Sequence, residues 1–256
     1  MNRSPYKILL LGEHCDDVYH YGHCNRLSPE APVPVFLQHR REIKAGMASN
    51  VKLNLQAMGA DVTHYKNAEH IEKHRLYDTK FNHHIIRFDI GEKQVINPLL
   101  FDHIHDEDFD AVVISDYNKG FITADIASRI CKKFGHKKIF VDSKKTDLSC
   151  FENSIINVNE NEYKAITKKP KNSSFITTLG PAGARYNSKV YPTHETEVYD
   201  VCGAGDVFLA ALVFNFLLTK NIESSIKIAN KAATISVTKS GTYVLQKEDI
   251  KKLFNN

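Results

Sequence analysis

Short apolar runs rich in Val and Ile alternate with longer segments of helical periodicity along most of the chain. This alternation constrains the fold more than any other feature. Residues 7–12, 111–115, 138–142, 154–157 and 174–178 read as buried strands. Residues 48–58, 123–134, 160–167, 204–218, 223–239 and 247–254 read as helices. Repeated strand–helix units imply an α/β fold, a three-layer sandwich whose mostly parallel sheet is flanked by helices. Gly59 and Gly135 follow two of the helical segments and are expected to supply left-handed C-terminal turns.

Two stretches break the pattern. Residues 19–38 hold Pro29, Pro32 and Pro34 around a short apolar run, and residues 84–89 read as an isolated strand. They are expected to form a small β lid, from segments of about 15–45 and 82–97, on a single domain spanning 1–256.

Composition removes several classes of function. With 42% hydrophobic residues the 256-residue chain is too apolar for intrinsic disorder. No window reaches the roughly 18 apolar residues of a membrane span, and the longest, residues 207–218, contains Asn215. Glu13, Asp16 and Asp17 follow the N-terminal apolar run too soon for a signal peptide, so a cytoplasmic location is expected. The 34 basic and 30 acidic residues leave a charge of only +4, and the tightest cluster, Lys168, Lys169 and Lys171, brackets Pro170 in a loop. A nucleic-acid face would be concentrated and basic, so neither a nucleic-acid nor a membrane partner is expected. Five cysteines without a CxxC pair do not suggest a disulfide framework.

The residues richest in chemistry are Asp200-Val201-Cys202-Gly203-Ala204-Gly205-Asp206, which run straight into an apolar helix. Gly203 and Gly205 let backbone approach a ligand. The helix start offers unpaired N–H groups and the positive end of the macrodipole, which is an anion hole. Asp206, in the first turn, could accept a proton from a hydroxyl. Phosphoryl transfer needs both parts, donors for the phosphate and a base for the attacking alcohol. Equally, the pattern could be a Gly-rich helix start whose Asp206 stabilises the N-terminus. A dinucleotide fingerprint fails at Phe208, and no GxxxxGK[ST] occurs.

The Asp-x-x-Gly-Ala-Gly-Asp stretch resembles the signature of the ribokinase (PfkB) family of carbohydrate kinases. Residues 12–22, residues 26–35, Ser115-Asp116-Tyr117-Asn118-Lys119-Gly120 and Val141-Asp142-Ser143-Lys144 resemble, within that family, the kinases of D-glycero-D-manno-heptose 7-phosphate. The resemblance runs from about Lys7 to Ile250. It implies transfer of the γ-phosphoryl group of ATP, with Mg²⁺, to the anomeric hydroxyl of that phosphosugar. Asp206 would then be the catalytic base, with Gly203, Ala204 and Gly205 as the anion hole. Asp17, Gly46 and Asn50 would meet the sugar hydroxyls. Asn159 and Glu162 would place Mg²⁺ and phosphates, Glu162 through water, although the same pair would serve as a helix capping box. Thr178, Gly180 and Gly183 would form the nucleotide turn, and Asn230 would lie near the adenine. Arg87 and Lys119, with Lys144 toward ATP, are the candidate cations for phosphate. A homodimer through the lid follows by analogy. The adenylyltransferase half of the bifunctional relatives is not expected, because few residues follow the last helix.

The chain also departs from the pattern. Glu13 replaces an Asp, Asp16 adds an acid beside Asp17, and Cys202 replaces a Thr before the anion hole. Met47 replaces the second glycine of a Gly-Gly turn, which puts a long side chain where a sugar should approach. Only about twenty residues, 62–81, bridge a region where relatives carry a strand–helix–strand portion. The main sheet is therefore expected to lack an edge unit and the pocket to be more open. The crowding of His14, Cys15, Asp16, Asp17, His20, His23 and Cys24 lacks a second zinc half-site, and His103, His105, Asp106 and Asp108 read as a polar helix start. Cys202 abuts a helix N-terminus, which should lower its thiol pKa, but no His motif pairs with it. The rival readings are a kinase of another phosphosugar or nucleoside, and a non-catalytic ligand-binding relative.

Overall fold

A computed structural model describes residues 5–81, 83–93, 96–105, 108–135 and 138–254. The main sheet has the order β12-β11-β10-β9-β8-β7-β1-β4. Its strands are β1 (Lys7–Gly12), β4 (Asp61–Tyr65), β7 (Ala111–Asp116), β8 (Lys138–Ser143), β9 (Ile155–Asn159), β10 (Ser174–Thr178), β11 (Ala184–Tyr186) and β12 (Lys189–Tyr191). The six from β4 to β10 are parallel, and the β10–β11 and β11–β12 pairs are antiparallel.

Both faces of this sheet are covered. On β1, Ile8 and Leu10 enter one core cluster and Leu9 and Leu11 the other, all fully buried. The first cluster takes in α1 (Ala48–Ala57), α4 (Ala204–Thr219), α5 (Ile222–Val237) and α6 (Lys247–Phe254). The second takes in α2 (Ala124–Phe134), and Tyr163 of α3 (Glu160–Ala165) packs against it. A strand buried on both faces reads as an unbroken apolar run, which is why these strands were visible in the sequence. α2 starts where Thr123 Oγ1 accepts the Ile126 N–H (3.2 Å), and it ends with Lys132 and Lys133.

Gly59 has the expected left-handed backbone (φ 99°). Gly135 does not: it continues the right-handed turn at φ −62°. Its value lies in space, since a Cβ there would sit 2.7 Å from the Cys131 carbonyl oxygen.

The lid is a four-stranded sheet of order β3-β2-β5-β6, from β2 (His14–Leu27), β3 (Pro34–Met47), β5 (Glu72–Asp78) and β6 (His83–Ile90). It differs from the expectation in two ways. β5 belongs to it, and its second segment stops by residue 90, because Ile96 and Leu99 are buried in the second core cluster. Residues 82, 94 and 95 of that expected segment lie outside the described residues, as does Asp106. Residues 62–81 yield most of β4, which is the edge strand of the main sheet, and then lead through a short connection into β5, with no helix between.

The lid is docked onto the loops around the start of α4. The Tyr19 hydroxyl accepts the Thr242 N–H (3.0 Å), Lys44 Nζ donates to the Ser240 carbonyl (2.8 Å), and Tyr77 stacks with Tyr199 (6.3 Å between centroids). Among the described residues no helix is long and apolar enough to cross a membrane.

Candidate active site

The direction of sheet growth reverses at β1, whose neighbours are β4 on one side and β7 on the other. In open α/β sheets the crevice beyond the carboxyl ends at such a reversal is where ligands bind. Glu13 follows the end of β1 and Tyr117 the end of β7, so both line this crevice.

Asp206 projects into it from the first turn of α4. Gly203 precedes that helix in the left-handed region (φ 74°), a conformation that favours glycine. A Cβ on Gly203 would also come within 2.7 Å of Asn50 Nδ2. A Cβ on Gly205 would meet nothing within 4 Å, so that side of the helix start is open. The Asp200 carboxylate fixes the approach by accepting the N–H groups of Cys202 (2.9 Å) and Gly241 (2.8 Å). First-turn N–H groups such as those of Gly205 and Asp206 have no intrahelical acceptor.

Both oxygens of Asp206 are engaged. Asn50 Nδ2 donates to Oδ2 (3.2 Å) and the Tyr117 hydroxyl to Oδ1 (2.8 Å). Burial pushes the carboxyl up to about 7. The Asn50 and Tyr117 hydrogen bonds and Lys144 pull the other way, and Asp142 adds to the rise. A carboxylate held near neutrality can take a proton at the pH where the protein works.

The expected sugar-side residues converge here. Asp17 is buried and accepts from Arg75 Nη1 at 2.5 Å. Gly46 lies against it, since a Cβ there would stand 2.5 Å from Asp17 Oδ2. Asn50 bonds Asp206, and its own Oδ1 accepts from Asn54 (3.1 Å).

The three expected phosphate cations all have acidic partners. Arg87 pairs with Asp89 on the lid (2.7 Å), Lys119 with Glu92, and Lys144 with both Glu162 (2.7 Å) and Asp142 (3.0 Å). Asn159 and Glu162 form the capping box, Glu162 Oε2 accepting the Asn159 N–H and Asn159 Oδ1 the Glu162 N–H. Thr178 ends β10 and leads into a single tight turn with Gly180 (φ 58°) and Gly183 (φ 94°), where a Cβ on Gly183 would collide with the Tyr191 carbonyl. Asn230 is buried, and its amide donates to that same carbonyl (2.7 Å), tying α5 to β12.

Two expectations are corrected. The Met47 side chain turns into the core rather than into the crevice: it is 3% exposed and belongs to the core cluster that holds Leu11, Cys15 and Ile71. Its backbone keeps the positive φ (54°) that suits the glycine it replaces. The Cys202 thiol is raised rather than lowered, because burial outweighs the helix start, and its sulfur receives the Tyr19 hydroxyl at 3.6 Å. Among the described residues no three or more His, Cys, Asp or Glu side chains are placed to share a metal ion, and along β2 alternate side chains point to opposite faces.

Three contributors carried no functional reading in the sequence. Glu13, fully buried, accepts the N–H groups of Tyr117 (2.8 Å), Lys119 (3.0 Å) and Phe121 (3.3 Å). Tyr117 is the donor to Asp206. Arg75 partners Asp17 and stacks over Tyr19 at 5.3 Å. Tyr117 stood inside a quoted motif, but Arg75, in a mixed polar stretch, gave no signal.

A glycine-rich helix start beside a carboxyl group whose pKa lies at about 7 is an arrangement suited to phosphoryl transfer. Residues 141–249 match the pfkB family carbohydrate kinases. The class uses ATP with Mg²⁺ as phosphoryl donor.

Among curated proteins the chain is similar to the "Bifunctional protein HldE" of Campylobacter jejuni (strain RM1221), 32% identical over 301 residues and covering 98% of this chain. It is likewise similar to the protein of that name from a Nitratiruptor species, 31% identical over 301 residues and 96% of this chain. The chain spans 65% and 64% of the length of these relatives. A match of 301 residues against a chain of 256 means that the relatives carry extra residues within the matched span. Among solved structures, a ribokinase from Thermotoga maritima (TM-score 0.69, 16% identity, 98% of this chain and 100% of that one) shares the fold. So does phosphofructokinase-2 from Escherichia coli (TM-score 0.71, 14% identity, 98% of both).

Proposed function

We propose that this chain transfers the γ-phosphoryl group of ATP to the anomeric hydroxyl of D-glycero-D-manno-heptose 7-phosphate. The observation that carries this reading is Asp206: a buried carboxylate near pH 7, at an open helix start, in the crevice where the sheet reverses. In the reaction Asp206 takes the hydroxyl proton as the sugar oxygen bonds to the γ-phosphorus. The bond from that phosphorus to the β–γ bridging oxygen breaks, and ADP leaves. The N–H groups around Gly203, Ala204 and Gly205 hold the charge of the transferring group.

Asp17, Gly46 and Asn50 line the sugar side. Arg87 and Lys119 would exchange Asp89 and Glu92 for the sugar's own phosphate. Thr178, Gly180 and Gly183 would form the nucleotide turn, with Asn230 behind it, and an ATP-consuming enzyme of this kind would work in the cytoplasm. The residues around Lys144 fit a Mg²⁺–phosphate group, because Mg²⁺ needs few protein carboxylates and keeps several waters. Asp142 and Glu162 flank that lysine, and Glu162 would reach the ion through water. When bound, the ion neutralises phosphate charge.

An ADP-release assay over a panel of sugars and sugar phosphates tests this reading. Heptose 7-phosphate should be turned over best, and Asp206→Asn should fold, bind ATP and lose about 10²–10⁴-fold in kcat. Near-wild-type turnover in that variant would exclude Asp206 as the base. Better turnover of another phosphosugar or a nucleoside would move the substrate but keep the mechanism.

A homodimer through the lid is supported by one further observation. The lid's outward face exposes Ile43, Ile86, Phe88 and Ile90, between 44% and 55% accessible. These four residues share one face by strand register, and a second lid would cover them.

A further inference from the structure

We propose that Tyr117 is the positioning residue of this site. Its hydroxyl holds the Asp206 carboxylate in the orientation that receives the acceptor's proton, and Glu13 holds Tyr117. The inference rests on the reading of Asp206 as the base.

The geometry begins at the end of β7. The chain turns there because two buried carboxylates collect its N–H groups. Glu13 takes those of Tyr117, Lys119 and Phe121, and Asp116 Oδ1 takes that of Asn118 (2.9 Å). Asp116 is itself fixed by the Ser143 hydroxyl and by Lys145, each at 2.6 Å. A loop held at four of the five residues from Tyr117 to Phe121 leaves Tyr117 little freedom, and its hydroxyl falls 2.8 Å from Asp206 Oδ1.

A buried carboxylate with one donor on each oxygen is fixed in plane. Each oxygen still has a lone pair with which to meet a substrate hydroxyl. Burial pushes the Tyr117 phenol well above its usual range, so it stays a donor at every pH where Asp206 titrates. The other titratable groups that act on Asp206 are Asp142 and Lys144 from the end of β8 and Cys15 from β2. Lys73 on the lid stands 5.8 Å from the Tyr117 ring. None of these touches Oδ1 in the way that Tyr117 does.

The test compares Tyr117→Phe with the wild-type full chain, assayed with Mg·ATP and heptose 7-phosphate across the neutral pH range. A hydrogen bond to an ionised group corresponds to about one pH unit. Removing the donor therefore destabilises the carboxylate and moves the acid limb of the kcat profile up by about one unit. At pH 7 kcat falls about fivefold, approaching tenfold at lower pH, with the KM for ATP unchanged and activity recovering toward wild type as pH rises. A limb that stays in place, with or without a loss of kcat, overturns the proposal.

Direct titration of the Asp206 carboxyl by ¹³C NMR needs no substrate. Tyr117→Phe should titrate about one unit above wild type, and equal titration again overturns the proposal. Should Tyr117→Phe fail to fold, Glu13→Gln, which loosens the loop, carries the same two readouts in the same direction. Failure of the underlying reading looks different: wild type inert with every sugar, or Asp206→Asn fully active.

Discussion

On β1 of the main sheet Ile8 and Leu10 are buried on one face and Leu9 and Leu11 on the other. In the lid, register places Lys44, Asp17, Lys73 and Asp89 in one row, and Glu42, Tyr19, Arg75 and Arg87 in another on the same face. The opposite lid face carries the row Ile43, Val18, His74 and Phe88. The main sheet therefore spends both faces on stability. The lid turns a charged face toward the crevice, and its outward face sets the exposed Ile43, Ile86, Phe88 and Ile90 among polar residues such as His20, Arg41, Glu72 and His74. Such a lid holds its shape through specific pairs, chiefly Asp17–Arg75, and through docking contacts such as Tyr19 with Thr242. Truncations should therefore damage the main sheet most, and charge changes the lid.

Phe140→Ala, removing a fully buried ring packed edge-on to Phe216 at 5.5 Å, should have the largest effect on stability. Denaturant unfolding should give a loss of about 3–5 kcal/mol. Arg75→Met should come next. Removing one partner of a buried pair costs about 3–5 kcal/mol, but a lid can open locally and hydrate Asp17. The global loss should thus fall below that of Phe140→Ala, with hydrogen exchange rising over the lid strands alone. A uniform rise across both sheets would erase the contrast between them. The smallest effect belongs to Ile86→Ser on the outward face, within about 0.5 kcal/mol for the monomer. Sedimentation should show that substitution weakening self-association, and an unchanged sedimentation profile would remove the lid dimer.

Asp206 links the two regions, and its raised pKa carries a sign for stability. The folded carboxyl binds its proton more tightly than the unfolded one, so Asp206 favours folding at low pH. That contribution is lost as pH climbs from about 4 toward about 7. The charged form of Asp206 is thus held at some expense to stability above about pH 7.

What the sequence disclosed follows the same division. The strands of the parallel sheet core were legible because burial on both faces requires near-continuous apolar runs, and α4 because it is apolar nearly all round. β4, β5 and the short pair β11–β12 escaped. Residues such as Glu72, Lys73, His74 and Arg75 of β5 follow neither the apolar run nor the simple alternation that marks a strand. Within the site, Gly203, Gly205 and Asp206 stood out because the chemistry of a helix start is local, needing only a few neighbouring residues.

The sequence by itself determined the class of fold, the glycine-rich helix start and the carboxylate beside it, because hydrophobic period and backbone conformation are written in adjacent residues. Only the tertiary structure decided that Tyr117 and Asn50 share Asp206, that Glu13 organises the loop beneath them, that Met47 turns into the core, and that Arg75 rather than a nearer cation answers Asp17. Those partners stand 89, 156, 104 and 58 positions apart for Tyr117–Asp206, Asn50–Asp206, Glu13–Tyr117 and Arg75–Asp17. Contacts across such separations are set by how the sheet reverses at β1 and how the lid docks, which no local pattern encodes.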